Sequence, residues 1–403
     1  MFIVVLSAVL GSITLYLWKR LIKDTTGPGR TRWALTAALV ALTLLLIAAL
    51  ALPRIIGVAD STWFAWPGYV WFALVVYLFL ALLVLEPVRL ALRVWVRRTP
   101  PKVTASEPTA EGMTASATAS ATASALNRRV FLARATAVAA GAASVGVVGM
   151  GAASALGPPD LLRVPVRLRK LDPAFDGFRI ALVSDIHLGP LSGRARTERI
   201  VRMINETEPD LVAIVGDLVD GSVADLGAAA EPLRDLHSRE GSFFVTGNHE
   251  YFVEDPMSWL RELETLGVQP LRNENTPIRR GAAAFDLAGV NDIGGARRSD
   301  PPDFDRALFG LDPSRPTVLL AHQPVQVEQA ATRGVDLQLS GHTHGGQMWP
   351  FHYAVRAVQP SLAGLSTVGG TQLYVTRGAG FWGPPVRVGA PPDITLLTLE
   401  GEN

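Results

Sequence analysis

Membrane-spanning helices followed by a separate α/β domain is the fold class this sequence predicts, and three observations predict it. Apolar residues, 49% of the 403, crowd into the first third of the chain. Charge divides with them: residues 1–157 hold 14 Lys and Arg against 5 Asp and Glu, a balance of +9, whereas the remainder holds 23 against 31, or −8. From about Pro158 onward, short β-like runs alternate with amphipathic segments, the pattern of a mostly parallel sheet with covered faces, and a strand-rich end implies a second sheet. The acidic second half argues against nucleic acid as a partner, because such binding neutralises phosphates with Lys and Arg. Cys is absent, which leaves no disulfide framework and no thiolate metal site.

Taken in order, Phe2 to Trp18, Trp33 to Leu52 and Tyr69 to Leu85 are nearly unbroken apolar runs with no polar face. Each is about long enough to cross a hydrocarbon core as a helix, giving three spans within residues 1–98. Lys19, Arg20, Lys23, Arg30 and Arg32 lie between the first two spans, and only Arg54 between the second and third. The positive-inside rule puts the first loop in the cytoplasm, with the third span returning there at Arg89, Arg93, Arg97 and Arg98. Trp63, Trp66, Trp71 and Tyr77 fall at or just inside the outer interface, where an aromatic belt belongs. Residues 99–127 include an Ala/Thr/Ser repeat, Thr104 to Ala125, that cannot bury a core and reads as a flexible cytoplasmic linker.

Residues 128–157 open, just after Asn127, with Arg128-Arg129-Val130-Phe131-Leu132 and continue into an Ala/Gly-rich apolar stretch, Ala135 to Leu156. This reads either as a twin-arginine-like export signal or as a fourth span pinned by Arg128, Arg129 and Arg134. Both carry the following domain, residues 158–403, across the membrane. Ala153-Ser154-Ala155 also fits a small-residue cleavage site.

In that domain, candidate strands are Arg179–Ser184, Leu211–Gly216, Ser242–Thr246, Ala284–Val290, Thr317–Ala321, Leu337–Ser340, Gln372–Thr376 and Ile394–Leu399; candidate helices are Thr197–Glu206, Ala224–His237, Pro256–Leu266 and Val325–Thr332. Open α/β sheets place ligands at the carboxyl ends of their strands. Five of these ends deliver Asp185 and His187, Asp217, Asn248 and His249, His322, then His342 and His344. Alone, an Asp after a strand is more often a helix N-cap than a ligand; five ends in series point to metal. Oxygen and nitrogen donors with one carboxylate to share suit two cations about 3.5–4 Å apart that clamp an in-line phosphoryl displacement. Ligation without thiolate favours Mn, Fe or Zn over a calcium cage. Glycines at 216, 247, 341, 345 and 346 let the backbone turn tightly beside them.

The series Asp-x-His, Gly-Asp, Gly-Asn-His-Glu, His and Gly-His-x-His, from roughly Phe178 to Leu399, resembles the signature of the calcineurin-like metallophosphoesterases. Gly341-His342-Thr343-His344-Gly345-Gly346-Gln347, with Thr376-Arg377-Gly378-Ala379-Gly380 and Pro391-Pro392-Asp393-Ile394, is similar to the membrane-associated branch of that family. The resemblance implies a sandwich of two mixed β-sheets flanked by helices. It also implies that Asp185, His187 and His344 hold one metal, that Asn248, His322 and His342 hold the other, and that Asp217 bridges them. His249 would face the phosphate as a transition-state donor or general acid, and Glu250, where the family often has Asp, is not expected to ligate.

The resulting expectation is a membrane-anchored, extracytoplasmic phosphoester hydrolase. Its substrate is expected to be a phosphodiester or pyrophosphate, lipid-linked or part of the cell envelope, with a phosphomonoesterase as second reading. A non-catalytic membrane protein that binds a phosphorylated ligand is the competing class; intact Asp217 and His249 speak against it. Trp349, Phe351, Phe381 and Trp382 are candidate apolar contacts, and Arg377, Phe381 and Trp382 candidate rim residues. His237 and His352 read as surface or packing residues. Gly146 to Gly151 lacks the preceding strand and the Lys-Ser/Thr of a phosphate loop, and no Gly-x-Ser-x-Gly elbow is present.

Overall fold

The computed structural model describes residues 2–97 and 113–402. They form two units, Met1–Ala48 with Pro67–Gly149 and Ala49–Trp66 with Met150–Asn403.

Four long helices supply most of the first unit, the end of α2, the start of α3 and the end of α4 belonging to the second: α1 (Phe2–Leu17), α2 (Arg30–Ala51), α3 (Thr62–Arg97) and α4 (Met113–Leu156). α2, the Thr62–Leu92 part of α3 and the Arg128–Leu156 part of α4 are each long and apolar enough to cross a membrane. α1 is apolar throughout but spans only 16 residues before Trp18–Lys23 widens into π-helix. Leu17, Val75, Leu78, Leu82 and Ala140 pack together from α1, α3 and α4. Polar bonds gather at one end of this unit: Arg20 donates to Glu86 at 2.7 Å, Arg89 to Asp24 at 2.9 Å and Arg134 to the Thr25 carbonyl at 3.1 Å. The helix ends that charge counting assigns to one side of a membrane therefore sit together. α4 also begins earlier than expected: from Met113 the Ala/Thr/Ser repeat is helical rather than irregular, because alanine is the strongest helix former. The rest of the expected linker, up to residue 112, lies outside the described residues.

The second unit holds two six-stranded mixed sheets. The first contains β1 (Asp160–Leu168), β2 (Phe178–Val183), β3 (Leu211–Val215), β4 (Ser242–Val245), β5 (Val268–Pro270) and the last strand, Asp393–Gly401. The second contains β6 (Glu274–Arg280), β7 (Ala283–Gly289), β8 (Thr317–Leu320), β9 (Leu337–Ser340), β10 (Gly364–Val368) and β11 (Thr371–Val375), so the last strand of the first sheet is β12. Their orders are β1-β12-β2-β3-β4-β5 and β10-β11-β9-β8-β7-β6. β2 to β5 are parallel, joined over one face by α5 (Arg194–Asn205), α6 (Val223–Ala230) and α7 (Pro256–Thr265), and β7, β8, β9 and β11 are parallel in the second sheet.

Side-chain alternation along these strands sends successive apolar residues to opposite faces of a sheet. Ile180, Leu182, Ala213 and Val215 face the second sheet, where they meet Phe285, Leu287, Val318, Leu320, Leu337 and Leu339. Ala181, Val183, Val212 and Ile214 face the other way, onto Ile200 and Val201 of α5, Leu226 of α6 and Trp259 and Leu263 of α7. Strands buried on both faces read as continuous apolar runs, and each of the eight expected strands lies inside a sheet. Those not expected, β1, β5, β6 and β10, are the four edges. β1 carries Pro165 and β6 carries Pro277, residues that an edge tolerates and a central strand does not.

Candidate metal centre

Every expected donor residue lies just beyond a parallel strand, at one end of the sandwich: Asp185 and His187 after β2, Asp217 after β3, Asn248 and His249 after β4, His322 after β8, His342 and His344 after β9. The first sheet thus supplies one half of the cluster and the second sheet the other. The backbone is bent to achieve this. Among the described residues, nine non-glycine positions have positive φ, and five of them are Asp185, His187, Asp217, His342 and His344. A left-handed residue with a Cβ costs about 1–2 kcal/mol, so the strain is concentrated where the donors must turn back toward one another. Gly216, at φ 80°, sits so close that a Cβ there would lie 2.6 Å from the Gly247 nitrogen and 2.7 Å from His322 Nδ1.

Three groups of donors converge, each with its atoms within 4.8 Å of one another: Asp185 with His187 and His344, Asp217 with His322 and His342, and His187 with Asp217 and His249. Asp217 is central. Its Oδ1 accepts the His249 backbone N–H at 2.8 Å, while Oδ2 lies 3.2 Å from His322 Nε2, 3.8 Å from His187 Nε2 and 3.9 Å from His249 Nε2. Asp185 Oδ2 accepts the His342 backbone N–H at 3.0 Å, leaving Oδ1 for the centre, 3.3 Å from His344 Nε2. Asp185 Oδ1, Asn248 Oδ1 and His322 Nε2 are all buried without a hydrogen-bond partner. Buried polar atoms are ordinarily satisfied, and three unsatisfied ones on donor residues of one cluster mark it as a candidate cation site.

Neighbouring groups orient these rings. His322 Nδ1 faces the Val215 carbonyl at 2.8 Å, and His187 Nδ1 faces Asp220 Oδ1 at 3.0 Å. Both carbonyl and carboxylate only accept, so the ring proton sits on Nδ1 and the Nε2 lone pair is left for a cation. His344 differs: Arg387 Nη2 approaches its Nδ1 at 3.1 Å and Nη1 donates to its carbonyl at 2.7 Å. A guanidinium offers only donors, so the neutral His344 ring keeps its proton on Nε2, 3.1 Å from His187 Nε2. A cation taken up there must displace that proton.

The electrostatics call for positive charge. Asp185, Asp217, Glu250 and Asp292 are fully buried carboxylates. Burial would raise Asp217, but His322, His249 and His187 hold it well below the usual carboxylate range. Burial opposes charge on His322, yet Asp217, Asp185 and Asp292 lift it well above the ordinary imidazole value. His342, by contrast, is pressed down to about 3 by burial and by His322, and remains neutral.

Two residues that matter here, Asp220 and Arg387, escaped the sequence reading, and a third, Glu250, was read only as a non-ligand. Asp220 accepts from His187 Nδ1 and, at 2.6 Å, faces His249 Nδ1; its signal was the second carboxylate of Gly216-Asp217-Leu218-Val219-Asp220. Glu250 accepts four backbone N–H groups, those of Asp217 (3.0 Å), Leu218 (2.8 Å), Val219 (3.3 Å) and Gly247 (2.6 Å), so it clamps two donor loops together without facing the metals. Burial and Asp217 push its carboxyl up to about 7 against those donors. Arg387, buried under His344, carried no local signal in the sequence.

The expected rim is corrected in part. Trp382 is 46% exposed and its ring lies 5.8 Å from that of His249, but Arg377 is paired to Asp393 at 2.7 Å and Phe381 is buried beneath the Arg196 guanidinium. Phe252, half exposed and 4.9 Å from His249, flanks the other side. His237 is exposed and His352 packs at Gly346, as expected of surface and packing residues.

The family profile described as calcineurin-like phosphoesterase matches residues 178–346. A "Transmembrane protein with metallophosphoesterase domain" from Bos taurus is 43% identical over 263 residues, covering 62% of this chain and 59% of that protein. An "Uncharacterized metallophosphoesterase" from Helicobacter pylori is 40% identical over 266 residues, covering 65% and 69%. The Bacillus subtilis protein named "Uncharacterized metallophosphoesterase YkuE" is 31% identical over 290 residues, covering 69% and 99%. The match thus spans about three-fifths of the length of the vertebrate relatives.

Burial works against charge on His249, but Asp217 and Asp220 outweigh it and lift the ring to about 9. In the metal-free chain, histidine NMR is expected to show this titration and Asp220→Asn to bring it down. Because the folded value lies above the unfolded one of about 6.5, the stability His249 contributes is full below about pH 6.5 and is lost as pH rises through about 9. Thermal unfolding across that window should decline in the parent and flatten in Asp220→Asn; matching curves would exclude the pairing.

Proposed function

This chain belongs to the calcineurin-like metallophosphoesterases, in their membrane-associated branch, and on that premise we propose that it hydrolyses a phosphoester beside the membrane with two divalent cations. The observation that carries this reading is the set of three buried, unpartnered donor atoms, on Asp185, Asn248 and His322, in one cluster about Asp217. Asp185, His187 and His344 would hold one ion, Asn248, His322 and His342 the other, and Asp217 would reach both. Oxygen and nitrogen donors of this kind suit Mn, Fe or Zn. When bound, the two cations neutralise phosphoryl oxygens and make the hydroxide form of water accessible near neutral pH.

The chain's own residues supply the rest. His249 carries a proton, held on the ring by Asp220 at its Nδ1, and its Nε2 is turned toward the donor cluster. The proton on Nε2 of the imidazolium passes to the leaving oxygen as the phosphorus–oxygen bond breaks and the bond to the attacking water oxygen forms. Phe252 and Trp382 rim the site with aromatic surface, while Arg377 and Arg387 are turned to Asp393 and to backbone carbonyls. That rim suits a singly charged phosphodiester or a pyrophosphate bearing an apolar group, lipid-linked or from the cell envelope, more than a doubly charged monoester.

Placement outside the cytoplasm is supported by the charge of the loops together with one packing fact. Residues 49–66, the loop with a single Arg between α2 and α3, belong to the same unit as the metal centre, and Val58 is buried in the core with Leu218, Val219 and Leu226. That loop and the centre share one side of the membrane. The end of α4 is also integral to the unit: the Ala155 and Leu156 carbonyls accept from Arg196 at 2.7 Å and Arg199 at 3.1 Å. This supports an uncleaved span. Held there, the centre meets leaflet substrates at high effective concentration.

Hydrolysis of chromogenic phosphate mono- and diesters by the metal-loaded full chain, with metal analysis, tests the reading. Asp217→Asn should release or loosen both ions together; unchanged metal content would sink the bridging role. His249→Ala should keep both ions and lose on the order of 10²-fold in turnover; loss of metal instead would make His249 a ligand. A reporter fused to the C-terminus should be active outside the cytoplasm, and a cytoplasmic signal would reverse the orientation.

A further inference from the structure

Two stretches of the metal-bearing unit arrive directly from apolar helices, and both are fastened next to the centre. One is the last turns of α4. Gly151 leaves no room for a side chain against Val386 and Val388, whose Cγ atoms would lie 2.6 and 2.8 Å from an added Cβ, and its carbonyl accepts the Arg387 backbone N–H at 2.9 Å. Arg387 is the residue whose guanidinium lies under His344. The other is the loop after α2: Val58 packs on Gly221, where an added Cβ would lie 2.6 Å from its Cγ2, and Gly221 follows Asp220, the carboxylate behind His187 and His249. Around Val58 the loop exposes Ile55, Ile56 and Trp63 at 75, 45 and 79%, large apolar residues suited to a membrane interface.

An apolar helix rises about 1.5 Å per residue, so Gly151, five residues before the apolar run ends at Leu156, lies within about 8 Å of that end. The segment fastened to it continues into an aromatic patch. Gln347 donates to the Trp382 and Pro384 carbonyls at 2.9 and 3.2 Å and accepts the Trp382 N–H at 3.0 Å, and Trp349 donates its N–H to the Val388 carbonyl at 3.0 Å. Trp349, Phe351, Tyr353 and Trp382 are exposed at 50, 48, 63 and 46%. Exposed aromatic rings on segments tied together in this way mark an interaction site, and Trp and Tyr favour the headgroup level of a bilayer.

We propose that the patch of Trp349, Phe351, Tyr353 and Trp382 is seated in the headgroup region of the bilayer, so that the metal centre opens onto the leaflet and takes the headgroup phosphoester of a lipid whose chains stay in the membrane. Trp382 is the link, since it belongs to the patch and its ring lies beside His249. Lateral entry of a lipid rests on the hydrolytic function proposed above; the seating of the patch does not.

Because the chain contains no Cys, single-cysteine variants at the patch can be labelled cleanly. Trp349→Cys, Phe351→Cys and Tyr353→Cys in the full chain would carry an environment-sensitive fluorophore, with Phe309→Cys, 82% exposed beside β6, as the reference. Reconstituted into vesicles of phosphatidylethanolamine and phosphatidylglycerol, the three patch labels are expected to emit to the blue of the Phe309 label and to lose most of their intensity to lipids bearing a shallow nitroxide. Labels at all three positions that match the Phe309 label in colour and quenching would overturn the proposal. Three positions guard against one variant that fails to fold. A soluble chromogenic diester assayed on the same metal-loaded vesicles separates the two claims: hydrolysis without insertion removes the seating alone, and insertion without hydrolysis removes the enzymatic reading alone.

Discussion

Lone pairs crowded into a dry space are the constraint on which the rest of this structure depends. Asp185, Asp217, His187, His322 and His344 turn carboxylate oxygens and ring Nε2 atoms toward one another across 3–4 Å, and buried charge of one sign is untenable without compensation. His322 shows the response in protein alone, recruiting a proton because three carboxylates surround it. Cations would meet the same demand with more charge. Since donors come from both sheets, whatever occupies the cluster also fastens the open end of the sandwich, and stability and chemistry draw on the same atoms.

Holding such a cluster requires a frame stiffer than the donors. Left-handed backbone at five donor positions would relax if the loops were free. Glu250 prevents this on the first sheet by gathering four N–H groups from the loops after β3 and β4. Arg387 does the equivalent on the second sheet, donating to the carbonyls of His344, Arg377, Gly378 and Gly380. One frame is an anion that collects donors and the other a cation that collects acceptors. Asp220 adds a constraint of its own, because one carboxylate faces the Nδ1 of both His187 and His249.

How much of this was legible follows from where information is local. Central strands announce themselves because both faces are buried, and the donors stand at their ends in short motifs, so the whole proposed ligand set could be read in order. Edge strands lack that imprint: Glu274-Asn275-Thr276-Pro277 pairs with β7 through its backbone and says little in its side chains. Asp220 was readable within its motif, three residues beyond Asp217. Arg387 was not, since all but one of its partners lie 7 to 43 residues away and only folding brings them together. Arg377 and Phe381 show the converse: a glycine-rich neighbourhood suggested a rim, but a carboxylate at Asp393 and a guanidinium at Arg196 drew them inward.

The unpaired edges carry a consequence for crowding. A domain tethered to a membrane meets copies of itself in two dimensions, where encounters between exposed strands are frequent and sheet-to-sheet addition is a standing hazard. β1 carries exposed Arg163, Pro165 and Arg167, and β6 carries exposed Pro277 and Arg279, while Arg280 turns inward to Asp210. Proline removes a donor from the template and like-charged guanidinium groups repel a second copy. The residues that made these strands hard to recognise are the ones that keep neighbouring molecules from polymerising edge to edge.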